Sequence, residues 1–143
     1  IVVASKLGAP VIRVFSRPTR PKDHTFDEVL AWMAADRLDG RLADLLSPWE
    51  PALLAAVALA GKAATAAGKP LGVCGEAAAD PALAPVLVGL GVTSLSMSPG
   101  SIAEVRATLA DLSMQQCREA ADIALAAHDG PDGRAQVRSR YSI

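Results

Sequence analysis

Cys74 is the side chain in this sequence best placed for chemistry. It lies in Gly68-Lys69-Pro70-Leu71-Gly72-Val73-Cys74-Gly75-Glu76, where a thiol closes a short apolar run, glycines flank it, and a carboxylate follows two positions on. In parallel α/β folds, ligands meet the carboxyl ends of strands. Glycine on either side lets a ligand approach the backbone closely. A cysteine so placed either works there or fills space as a small apolar residue, and residue types alone leave both readings open. His24 and Asp27 stand one helical turn apart, a spacing at which two side chains could share a metal, although a histidine in a solvated loop explains His24 as well. The basic residues Arg13, Arg17, Arg20 and Lys22 could attract a phosphate, or form a solvated loop face. Cys117, among Ala and Met on a helical stretch, reads as packing.

These residues must be positioned by a small core. The chain has 143 residues, of which 51% are hydrophobic, 20% charged and 3% aromatic. That is enough apolar material for one domain and excludes wholesale disorder. With two Phe, two Trp and one Tyr, the core must be built from Ala, Leu and Val. A net charge of −1 argues against a dedicated nucleic-acid binder. Two cysteines make no disulfide framework, so a cytoplasmic setting is expected. The apolar stretch 52–60 is too short to span a bilayer, and Lys62 closes it, so no membrane is expected as a partner. The first residues, Ile1-Val2-Val3-Ala4, have neither an initiator methionine nor a signal-peptide pattern, and suggest a piece of a longer chain.

The order of elements follows from breakers and periodicity. A helix end over 2–7 is stopped by Gly8, and 11–15 is a β-branched run of strand length. Residues 16–24 form a basic, proline-containing loop. A helix then starts near Thr25, three residues before Glu28, and runs towards Arg37. The rigid connector 47–51 leads into a helix from Pro51 to residue 67, ended by Gly68. Strands follow at 71–74 and 94–97, with a helix over 81–90 between them that Asp80 caps. Ser101 is expected to cap a helix over 102–112, another helix spans 113–127, and 128–143 reads as a flexible tail. Strands alternating with helices imply an α/β fold with about three parallel strands and flanking helices. A closed (β/α)8 TIM barrel takes about 250 residues, so the expectation is a partial barrel over 1–127 followed by the tail.

The segment around Cys74 resembles the Cys-Gly-Glu motif of phosphoenolpyruvate-utilising enzymes. Farther on, Gly89-Leu90-Gly91-Val92 and Leu95-Ser96-Met97-Ser98-Pro99 resemble the end of the barrel of the phosphoenolpyruvate–protein phosphotransferases, the enzyme I family of the bacterial sugar phosphotransferase system. The resemblance runs from about residue 25 to 127 and is strongest over 68–105. It implies transfer of the phosphoryl group of phosphoenolpyruvate to a protein histidine, helped by Mg²⁺, and then to a phosphocarrier protein. Loss of the phosphoryl group leaves an enolate whose methylene carbon must gain a proton. Thiols have a reference pKa of about 8.5 and carry a proton at neutral pH, and Cys74 stands at the position of the family's acid. Upstream, Asp27 and Met33-Ala34-Ala35-Asp36-Arg37 match a metal-binding Asp and a phosphate-binding Arg. By that resemblance Asp27 would hold Mg²⁺ and Arg37 would clamp the substrate phosphate. His24 and Phe26 stand where the family has Gly and Asn. Asp27 as a helix cap and Arg37 as a solvated side chain are the plainer readings.

Residues 4–33 also resemble a strand–helix unit of sugar-phosphate isomerase/epimerase barrels, which offers a second class of activity. A third reading is a non-catalytic α/β fragment that pairs its sheet edges with another copy as a homodimer. In the family, the phosphoacceptor histidine lies on a separate amino-terminal domain whose motif is absent here, so His24 is not a candidate for it. With the other phosphate and metal ligands also lying elsewhere in the family, this chain alone is expected to be inactive.

Overall fold

A computed structural model describes Ile12–Arg13 and residues 47–143. The chain divides into two compact units, Ile1–Val14 with Pro48–Ile143, and Phe15–Ser47. The elements below belong to the first. The expected helix over 2–7, the loop 16–24 and the helix beginning near Thr25 lie outside the described residues, as do Asp27 and Arg37.

Pro51 opens the first helix, α1 (Pro51–Ala66), at a position where its missing N–H costs nothing. Gly68, at φ +62°, ends the segment. The chain then forms β2 (Leu71–Cys74), which pairs in parallel with β1 (Ile12–Arg13) on one side and β3 (Ser94–Ser96) on the other. The order β1-β2-β3 and the parallel pairing agree with the α/β expectation, and β2 has the expected bounds. A closed barrel is not among the described elements.

Two elements connect β2 to β3. A single turn not expected from the sequence, α2 (Glu76–Ala79), is followed by α3 (Leu83–Gly89), the helix expected over 81–90, which begins two residues later. Asp80 takes the extended conformation before Pro81 that interrupts the helical path. Thr93 then sets the register. Its N–H donates to the Leu71 carbonyl (2.8 Å), its Oγ1 donates to the same oxygen (3.0 Å), and Oγ1 accepts the Leu71 N–H (3.0 Å). Cys74 is thereby placed beside Ser96.

Helix α4 (Pro99–Ala110) starts three residues before the expected 102. Ser98 occupies its N-cap position and Pro99 its first turn, so Ser101 does not cap it. Helix α5 (Met114–Ala126) opens with a complete capping box, in which Ser113 Oγ accepts from the Gln116 N–H and Gln116 Oε1 accepts from the Ser113 N–H.

The stretch 128–143, expected to be a flexible tail, instead holds α6 (Gly130–Tyr141). Asp129 caps it by accepting the Asp132 N–H (2.9 Å), and Asp132 in return accepts the His128 N–H (3.0 Å). Val137 is fully buried, and the Tyr141 hydroxyl donates to the Gln116 carbonyl on α5 (3.1 Å). The composition of Gly, Pro, Asp and Arg hid the helix because one valine and two close-packed glycines, Gly130 and Gly133, do the burying.

The core is aliphatic, as the composition requires. Leu54, Leu71, Leu83, Val86, Leu87 and Val137 pack with the small faces of Ala120, Ala121 and Ala124, and Trp49 closes one side. Helix α3 is buried along most of its length and lies backbone-close to α5. A Cβ at Gly89 would collide with the Cys117 carbonyl oxygen and lie 2.6 Å from its carbonyl carbon. Backbone atoms there cannot rotate aside. Gly89→Ala should therefore lower unfolding stability by about 1–3 kcal/mol or more, read from urea denaturation, whereas Gly100→Ala, in open space, should lie near zero.

Both carboxylates at the start of α6 are held below their ordinary range. For Asp129 the main cause is the Asp132 N–H it accepts, and for Asp132 it is the Gln136 side chain, then the His128 N–H. Depressed carboxylates lend stability that is complete above their unfolded values and lost as pH falls through the folded ones. Amide protection in the first turn of α6 should thus fall below about pH 4, before that of α5. Asp129→Ala should remove protection there at neutral pH as well.

Candidate functional site

The site grows from the carboxyl ends of β2 and β3. Side chains alternate between the two faces of a strand. Leu71 and Val73 of β2, with Leu95 of β3, turn towards the helices and join the core. Gly72, Cys74, Ser94 and Ser96 occupy the other face. Cys74, Ser94 and Ser96 are exposed, and Gly72 is partly so. The result is a patch of small side chains with one thiol at its carboxyl end. The apolar run around Cys74 therefore does not bury the cysteine, and its sulfur is a free, exposed thiol.

Beyond Cys74 the chain must turn sharply, and Gly75 makes that turn at φ +92° and ψ −156°, a region closed to side chains with a Cβ. Its N–H donates to the Ser96 carbonyl (3.0 Å), which extends the β2–β3 pairing by one bond past the strand. Its carbonyl accepts the N–H groups of Ala78 (3.0 Å) and Ala79 (3.1 Å), which folds Glu76 into the single turn α2. Glu76 is exposed in the first turn. The neighbouring strand end supplies Ser96, Met97 and Ser98, and Ser98 Oγ lies 3.3 Å from Ser101 Oγ.

Asp80 anchors the far end of α2. Its Oδ2 accepts from Trp49 Nε1 (2.9 Å), its Oδ1 accepts the Ala82 N–H (3.0 Å), and the Arg134 guanidinium of α6 lies 3.7 Å away. Sequence reasoning assigned Asp80 only a capping role. The Asp-Pro pair signals a turn, but nothing in sequence points to a tryptophan 31 residues away.

Of the expected site residues, the structure places Cys74 at a strand's carboxyl end. Asp27 and Arg37 lie outside the described residues, as do His24 and, apart from Ile12–Arg13, the segment resembling isomerase barrels. Among the described residues no group of three or more His, Cys, Asp or Glu could hold a metal ion. No described helix is long and apolar enough to cross a membrane. An apolar groove of about 310 Å³ runs along β3 between Val88, Leu95, Met97, Ile102, Val105 and Leu109, and includes neither Cys74 nor Glu76.

A small parallel sheet carrying a glycine-flanked thiol at its carboxyl edge fits a known family. The family described as "PEP-utilising enzyme, PEP-binding domain" matches residues 25–114, and the chain belongs to it. Among curated proteins, the chain is similar to the phosphoenolpyruvate-protein phosphotransferase of Streptomyces coelicolor, at 55% identity over 109 residues, or 76% of this chain and 20% of that protein. Proteins of the same name from Bacillus subtilis and Cupriavidus necator are 41% identical over 92 residues and 33% identical over 114. Those matches cover 64% and 80% of this chain, and 16% and 20% of the relatives. The expected resemblance to that enzyme family is thus found, and the chain spans about a fifth of the length of these relatives.

Cys117, read as packing, is buried against α3. Burial pushes its thiol above the ordinary range. The native state then holds a proton that the unfolded chain releases, so this stabilisation is present below about pH 8.5 and is lost as pH rises through the folded value. A thiol reagent should label Cys74 rapidly in the folded chain and Cys117 only on unfolding. Stability measured in urea should decline above about pH 8.5, and Cys117→Ala should flatten that decline.

Proposed function

We propose that this chain is the carboxyl-terminal part of a phosphoenolpyruvate-binding (β/α)8 barrel that serves phosphoryl transfer from phosphoenolpyruvate to a protein histidine, with Cys74 as the acid that completes pyruvate. The observation that carries the reading is the exposed thiol at the carboxyl end of β2, on the sheet face that the described helices leave uncovered. Parallel sheets are covered on both faces in folded proteins. A patch of Gly72, Cys74, Ser94 and Ser96 is small enough to line a barrel interior.

The chemistry balances at named atoms. The bond between phosphorus and the enol oxygen breaks, the phosphoryl group passes to a histidine nitrogen, and the electron pair stays on the enolate. The methylene carbon then takes the proton from Cys74 Sγ, giving pyruvate and a thiolate that recovers a proton from water. Gly75 leaves the turn beside the thiol without a side chain, and any Cβ there would strain a backbone at φ +92°. Arg37 is proposed to hold the substrate phosphate through its planar fork, and Asp27 to hold Mg²⁺. The ion would supply charge neutralisation at the phosphate oxygens. The phosphocarrier protein is the proposed onward acceptor. Two cysteines that form no disulfide fit a reducing compartment, and this supports a cytoplasmic setting.

The test uses the Streptomyces coelicolor relative with its matching segment replaced by that of this chain. The chimera should release pyruvate from phosphoenolpyruvate in the presence of Mg²⁺, and Cys74→Ala should slow that release by about 10²–10⁴-fold, the usual worth of a positioned acid. A chimera that is folded but inactive, or one indifferent to Cys74→Ala, would sink the reading. A dimer of the isolated chain in light scattering, combined with an inactive chimera, would favour a non-catalytic fragment that covers its sheet face with a second copy.

A further inference from the structure

We infer that Asp80 is a positioning residue for the Cys74–Glu76 turn, acting through Trp49 and Arg134, and that α6 is thereby coupled to the site; the inference rests on Cys74 being the proton donor. A helix of four residues has no stability of its own, so α2 must be held from its ends. At the amino end, Gly75 is tied to Ser96 and accepts from Ala78 and Ala79. At the carboxyl end the Asp80 carboxylate joins three separate parts of the chain: it accepts the indole N–H of Trp49 just before α1 and the Ala82 N–H at the entry to α3, and it pairs in charge with the Arg134 guanidinium on α6.

Trp49 is 3% exposed, so the indole offers Asp80 a donor fixed by its own packing. Arg134 is half exposed and stands off at 3.7 Å, so it contributes charge with less geometric control. The carboxylate thus fixes where α2 ends, and the length of one turn fixes the N-cap Gly75 and, just before it, Cys74 at the end of β2. A change at α6 reaches the thiol along this path, through Arg134, Asp80 and the turn.

Two measurements test this. Hydrogen exchange of the Gly75, Ala78, Ala79 and Ala82 amides in this chain should accelerate by roughly tenfold or more in Asp80→Ala, as loss of a hydrogen bond to a charged group implies. Exchange at Leu54 and Ala120 should be retained. Asp80→Asn keeps an acceptor oxygen and should recover part of the protection. Trp49→Phe removes the indole donor while keeping most of the packing, and serves where Asp80→Ala does not fold. In the chimera, Asp80→Asn should slow pyruvate release in the Cys74 background and add nothing in the Cys74→Ala background, because the residue acts through the thiol. Exchange that is unchanged, or that rises equally across the core, overturns the inference. So do losses that simply add between the two positions. Indifference of the chimera to Cys74→Ala overturns the catalytic reading instead, and the exchange result stands apart from it.

Discussion

The carbonyl group of Cys117 occupies the space where a side chain at position 89 would begin. That contact, repeated between the Leu90 carbonyl and Gly61 on α1, holds the end of α3 backbone-close between two helices. Few aromatic residues are available to fill gaps, so the chain brings its helices together until small side chains suffice. Everything at the carboxyl edge of the sheet inherits its position from this packing. Gly89 ends α3, Val92 is buried just beyond it, and Thr93 locks β3 to β2 at Leu71. Three residues farther along the same register, Ser96 lies beside Cys74. A shift of α3 by a methyl group would move the neighbour of the thiol as well.

The same economy explains which elements were legible in sequence. Pro51 and Gly68 act through local backbone chemistry, and the helix they delimit appears where those residues require. The run Leu71-Gly72-Val73-Cys74 is short and bounded by Pro70 and Gly75, and it forms a strand without extension. Helix α6 was not legible because its stability comes from an Asp129–Asp132 cap and from close contact, with Val137 as its one large buried apolar side chain. Periodicity detects apolar faces, and a helix that buries glycine presents none. The separation of α2 from α3 has a local cause: Pro81 pushes Asp80 into an extended conformation, which no continuous helix can contain.

The candidate site divides in a similar way. The placement of Cys74 at a strand's carboxyl end was legible in the sequence, and its exposure was not. An apolar run suggests enclosure on both faces, yet only the alternate residues Leu71 and Val73 face the helices, and the thiol falls on the opposite side. Cys117 has the same side chain and the opposite fate, because it sits one turn into an amphipathic helix whose alanines meet α3. Period decides between the two cysteines. The partnership of Asp80 with Trp49 had no sequence signal, since it joins residues brought together only after the helices have packed.

An exposed thiol on an uncovered face is half of a reactive arrangement. In the proposed reaction the enolate carbon must approach Cys74 from that face, while the phosphate is held from another direction so that phosphorus can depart in line with a histidine. One side of a three-stranded sheet cannot surround a substrate in this way, so the proposed reaction would draw on further strand ends converging on the same point, as in the proposed barrel. This accounts for the character of the uncovered face. Small polar residues at 94 and 96 and glycine at 72 would destabilise a sheet packed on aliphatic side chains, but they suit a surface that must admit a charged ligand. The opposite face carries Leu71, Val73 and Leu95 against the aliphatic core, which leaves the face bearing Cys74 unconstrained by core packing.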